Sequence, residues 1–164
     1  MLTKSEKRRQ TRVLIRKYLE RAEANKADIH YSQDRLLTSL GDSPDSEFET
    51  DCSGLVISAF FWADKWTTFA VKDPGGYNYS GAGNTGSILR TNYKRAVPFD
   101  HKFYIGDMAL FGTWSHTEHV IICRANGTFR TSKWTSHGQE AGPYEVDIDY
   151  RGKPLIVVRA ESLA

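Results

Sequence analysis

The stretch DCSGLVISAFFWA, Asp51 to Ala63, sets a cysteine at the threshold of an apolar helix, with an acid before it and Ser-Gly after it. The run is hydrophobic almost all round, which predicts a buried helix from Cys52 to about Trp66 at the centre of the domain. A helix start carries partial positive charge and unpaired N–H groups, so a thiol there is biased toward thiolate, the nucleophilic form. Asp51 precedes the helix and is read as its structural cap, since a carboxylate accepts from first-turn amides but disfavours a neighbouring thiolate. The backbone amides of Cys52 and Ser53 are the natural donors to an oxyanion.

Outward from this helix the chain divides by texture. Residues 3–25 carry Val13, Leu14, Tyr18 and Leu19 on one stripe, predicting an amphipathic helix capped by Thr3 or Ser5. Residues 29–33 read as extended and 41–50 as an acidic turn-rich loop. A glycine-rich loop spans 73–86, followed by a short helix over 86–94 with Asn84 or Thr85 as its cap. From Phe103 the pattern turns to β, with strands expected at 104–105, 108–111, 119–124, 128–136 and 155–159. Asn126-Gly127 is expected to turn a hairpin between the third and fourth. Helices first and an antiparallel sheet after make an α+β fold in one domain spanning 1–164, with a basic N-terminal helix over 1–25 and a core over 29–159.

Composition sets bounds. At 40% apolar and 12% aromatic the chain is globular, and a net charge of +2 is too small to imply nucleic-acid binding. The first 21 residues nevertheless hold eight Lys and Arg against Glu6 and Glu20. Such an end suits an anionic polymer, including cell-wall acids, although a solvated helix face is the simpler reading. The absence of a long apolar run predicts no membrane span, and the basic start does not read as a secretory leader. Two cysteines are too few for a disulfide framework; a Cys52–Cys123 bridge would silence the nucleophile, and Cys123 mid-strand reads as a core thiol.

A cysteine hydrolase needs a thiol, a histidine to shuttle its proton, a group that orients the histidine, and oxyanion donors. His119 leads the apolar strand His119-Val120-Ile121-Ile122 and suits the base. His137 is then a candidate orienting group, requiring an offset in the hairpin, and strict pairing offers Thr131 or Ser132 instead. Trp114 and Trp134 flank the histidine-bearing strands and are expected along a substrate groove, while Trp62 and Trp66 read as core or cleft wall. GAGNTG, Gly81 to Gly86, matches a dinucleotide-loop pattern in letters only, since no strand precedes it. His116-x-x-His119 with Cys123 lacks the spacing of a zinc site, so neither metal nor cofactor is expected.

DCSGLV, IGDMALFG and EHVIICRANGTF, in that order, resemble the NlpC-type papain-like cell-wall peptidases. IHYSQ at 29–33, the glycine-rich loop and SHGQEAGP at 136–143 resemble the N-terminal peptidase domain of endolysins from phages of actinobacteria. The resemblance implies a papain-like fold, Cys52 as nucleophile, His119 as base and His137 as orienting residue. It also implies a cleft-lining Tyr31 that helps hold the oxyanion, and an amide of the peptidoglycan stem peptide as substrate. An endolysin is made in the host cytoplasm and acts at the wall after release; a virion-borne hydrolase, working beside other phage proteins, is the parallel expectation. A silent wall-binding or tail module, and an amidase or acyltransferase on the same fold, are the alternatives.

Overall fold

The computed structural model describes residues 1–91 and 94–164. Helix α1, Lys4–Ala24, starts where Thr3 Oγ1 accepts from the Glu6 N–H at 3.1 Å. It leads to β1, Ile29–Tyr31, which pairs in parallel with β2, Phe48–Thr50. One residue later the buried helix α2 begins, Cys52–Trp66. The short α3 covers Thr85–Arg90, capped by Asn84 and Ser87 in reciprocal hydrogen bonds. The segment expected to continue this helix ends at Arg90, and residues 92–93 lie outside the described residues.

The sheet is built by β3, Lys94–Ala96; β4, Met108–Gly112; β5, Thr117–Ala125; β6, Lys133–Gly138; β7, Ala141–Val146; and β8, Ile156–Ala160. Its six strands run antiparallel in the order β3-β8-β4-β5-β6-β7. Side chains alternate across it. Met108, Leu110, Val120, Ile122 and Val158 meet Ile15, Tyr18 and Leu19 of α1 and Leu55, Ala59 and Phe60 of α2. Ala109, Phe111, Ile121, Cys123, Trp134 and Val157 fill a second core on the other face, under Val97, Phe103 and Ile148. Both faces are covered, which is why β4 and β5 read as continuous apolar runs.

Two expected strands and one expected turn are redrawn. Tyr104-Ile105 forms no strand: Gly106 takes a positive φ of 95° and the chain turns so that Asp107 accepts from the Tyr104 N–H at 2.9 Å. Asp107, fully buried, also receives two bonds of 2.8 Å from Arg159, so the Gly-Asp pair is a structural clamp between β4 and β8. The expected 128–136 strand begins only at Lys133, because residues 128–132 form the turn. Asn126-Gly127 turns no two-residue hairpin. Asn126 Oδ1 takes the Ile105 N–H and Gly127 bridges to Phe103, which draws both residues toward the preceding loop. SHGQEAGP is itself a hairpin, β6 and β7 joined at Gln139-Glu140.

Candidate active site

Asp51 is extended, with φ −114° and ψ −170°, and its Oδ1 accepts from the Gly54 N–H at 2.8 Å and the Ser53 hydroxyl at 3.0 Å. Its Oδ2 receives the Arg35 guanidinium at 2.7 Å, which balances the charge beside the thiol. Gly54 is required by close approach: a Cβ there would lie 2.0 Å from Thr50 Oγ1, so α2 starts in contact with β2. The helix backbone itself gives the Cys52 and Ser53 amides no acceptor, and the Ser53 amide turns toward the Cys52 sulfur.

Cys52 is buried, and its Sγ sits 3.6 Å from Thr85 Oγ1 at the start of α3. Two opposing effects act on it. Burial, then the Asp51 charge, push the thiol pKa up; the Thr85 hydroxyl and the backbone amides of Val120 and Ser53 pull it down. Burial wins, so the resting group is a thiol and not the thiolate that the helix start alone predicts. The amide of Val120 brings the sulfur within one residue of His119 along β5. Among the described residues no hydrogen bond joins Sγ to the imidazole.

His119 pairs with Phe111 of β4 and is almost wholly buried. Its Nε2 lies 2.8 Å from the Tyr150 hydroxyl and 3.0 Å from Ser136 Oγ, and those two hydroxyls are 2.8 Å apart. With the proton on Nε2, donation into this pair fixes the ring and leaves Nδ1 as the basic nitrogen. Burial, with a smaller contribution from Arg151, lowers the His119 pKa to about 4, so the imidazole is neutral at ordinary pH and ready to accept a proton.

His137 does not orient His119. The β5–β6 register pairs Ile122 with Thr135, so the two-residue period puts Ser136 on the His119 face and His137 on the other. His137 Nε2 instead reaches the carbonyls of His30 and Thr50, each at 3.2 Å, tying β6 to the β1–β2 pair. Thr131 is excluded as well: it is exposed in the turn, where its Oγ1 accepts from the Thr128 N–H at 2.8 Å. Trp134 is also reassigned. It is fully buried, stacks edge-on against Phe103 and donates to Ser132 Oγ, so it is core and not groove. Trp114 stands 66% exposed in the loop between β4 and β5.

A recess of about 440 Å³ opens over Cys52, walled by Arg35, Asn84 to Gly86, Arg90 and Ser115 to Glu118. A second, of about 340 Å³, holds Tyr31, His119, Gln139, Glu140 and Arg151. Gln33 and Glu118 border both, so thiol and imidazole face adjoining lobes of one cleft. Tyr31 packs 5.5 Å from the His137 ring, and burial followed by the proximity of Cys52 and Asp51 pushes its hydroxyl up to about 12, keeping it a donor. Sequence reasoning missed Ser136, although strand parity points to it; Tyr150, thirty-one positions beyond His119, leaves no local signal. Cys123 is buried on the opposite sheet face with its thiol bonded to the Ala125 carbonyl at 3.3 Å, and both cysteines are free. Among the described residues no group of three His, Cys, Asp or Glu could hold a metal ion, and no helix is long and apolar enough to cross a membrane.

The fold is that of an NlpC/p60 domain, the papain-like α+β arrangement. The crystal structure of the NlpC/p60 domain of the peptidoglycan hydrolase SagA aligns with a TM-score of 0.50 at 18% identity, over 90% of this chain and 97% of that one. No family model matches the sequence, and no curated protein matches it.

Proposed function

We propose that this chain is a cysteine peptidase that hydrolyses an amide bond in the stem peptide of peptidoglycan. The observation that carries the reading is a helix-start cysteine opening on the same cleft as an imidazole held by two hydroxyls. The shared fold with a domain of a peptidoglycan hydrolase supports the substrate class. In the first step substrate displaces the Thr85 contact, His119 takes the thiol proton and Cys52 attacks the carbonyl carbon. The Cys52 and Ser53 amides and the Tyr31 hydroxyl hold the oxyanion. Collapse expels the amine, which receives the proton from His119 and leaves a thioester on Cys52. Water, deprotonated by His119, then releases the acid.

The sequence resemblance extends the proposal to a phage lysin, made in the host and acting at the wall after release, or carried in the virion. The test is digestion of purified actinobacterial peptidoglycan by wild type and by Cys52→Ala, with products identified by mass spectrometry. New stem-peptide fragments from wild type alone support the reading; identical products from both sink it. One observation favours a second reading, a catalytically silent wall-binding module: the resting thiol pairs with Thr85 and not with the imidazole. That reading predicts sedimentation with the wall and no products. Product identity also separates peptidase from amidase or acyltransferase.

A further inference from the structure

Far from the cleft, the first half of α1 and the turn before β4 enclose a recess of about 400 Å³. Arg8, Arg9, Arg12 and Arg16 line it over a floor of Tyr104 and Ile105. We propose that this recess binds the phosphodiester group of a polyol-phosphate polymer, tethering the protein to an anionic wall while the cleft works elsewhere. The proposal stands whether or not Cys52 is a nucleophile.

Its charge is uncompensated. Among the described residues no carboxylate pairs with Arg8, Arg9 or Arg12, and Arg16 has only the exposed Glu20 at 3.7 Å. Asp107, the nearest buried acid, is already taken by both donors of Arg159. Arg8, Arg12 and Arg16 repeat at four-residue spacing, where like charges repel along a helix unless an anion sits among them. The donors are also placed. Arg12 is fixed by bonds to the carbonyls of Ile105 at 3.3 Å and Leu163 at 2.7 Å. The Arg8 Nε is buried and has no partner. Asn126 spends its Oδ1 on the Ile105 N–H, which leaves its Nδ2 as a further donor at the rim. Guanidinium groups lining one recess beside a neutral amide suit a tetrahedral oxyanion with several oxygens.

The source of the phosphate follows from what the recess lacks. A lipid surface requires an apolar face to insert; of the exposed large apolar side chains, Leu36, Trp66, Tyr77 and Trp114 lie in other segments, and Met1 near the start of α1 is a single residue and no face. A single-stranded nucleic acid is held by open rings that stack its bases, and the Tyr104 ring is occupied by Arg12 at 5.4 Å, Lys102 at 5.6 Å and Arg159 at 4.8 Å. The recess shares no lining residue with either lobe over Cys52 or His119, so bound polymer leaves the cleft free.

The test titrates the ¹⁵N-labelled full chain with inorganic phosphate, and separately with chloride at equal ionic strength. It then measures capture by poly(glycerol phosphate) and by phosphatidylglycerol vesicles. Phosphate should give saturable shifts of the Arg8 Nε–H and Asn126 amide signals, chloride none. The polymer should bind at least about tenfold more weakly to Arg8→Gln/Arg9→Gln. Lys7→Gln/Lys17→Gln, which removes equal charge from α1 outside the recess, should bind like wild type. Equal shifts with chloride, equal losses in both variants, or capture by vesicles and not by polymer would overturn the proposal.

Discussion

Cys52 and His119 are both neutral at rest, for the same reason. Burial raises the thiol pKa and lowers that of the imidazole to about 4. The reactive protonation state, one proton shared between the two, therefore spans a wide interval. Activity should hold on a plateau from about pH 5 into the alkaline range, and a fall centred near pH 6.5 in kcat/KM would contradict a buried base. Cys52 should alkylate slowly with iodoacetamide at pH 6 and faster as pH rises past 9. His119 also links pH to stability. Its unfolded pKa is near 6.5 and its folded value about 4, so between them the unfolded chain binds more protons. Stability should drop by about 3 kcal/mol as pH falls through that window, and by less in His119→Gln; urea midpoints measure both. The placement of Cys52 at a helix start and of His119 near a strand start was legible in the sequence. The orienting group was not: a histidine was the stronger chemical signal, but a strand offers its faces by parity, and parity selects Ser136.

At the scale of elements, β6 carries two adjacent polar residues with opposite duties. Ser136 serves His119 on one face, and His137 staples the β1–β2 pair on the other. Ser136→Ala with Tyr150→Phe should lower kcat roughly 10- to 100-fold, with about 1–3 kcal/mol of stability lost because the buried Nε2–H of His119 keeps no acceptor from this pair. His137→Ala should cost stability alone, about 1–3 kcal/mol, because the bonds that tie β6 to the His30 and Thr50 carbonyls are lost, although the Thr50 carbonyl keeps the Ser32 N–H. Turbidity clearance and thermal melts on the same samples separate the two; a kcat loss from His137→Ala alone, at unchanged stability, would restore it as the orienting residue. The bounds of α2 were legible because apolar periodicity and an acidic cap agree. The β5–β6 turn was not, because Asn126 and Gly127 are drawn away by Ile105 and Phe103, contacts distant in sequence.

For the whole molecule, the α+β order was legible because burial on both sheet faces writes itself as apolar runs. What the sequence leaves silent is how the two cores are locked. Asp107 and Arg159 do this, 52 positions apart, inside the sheet. Asp107→Ala leaves a guanidinium buried without its partner, and should cost about 3–5 kcal/mol by urea denaturation. The central claim joins this fold to one covalent event at Cys52. Its most direct measurement is the intact mass of protein quenched in acid during turnover of a muropeptide, followed by peptide mapping. A thioester adduct on the peptide containing Cys52, absent from Cys52→Ala, is the predicted result. Turnover without an adduct, undiminished in Cys52→Ala, would contradict it.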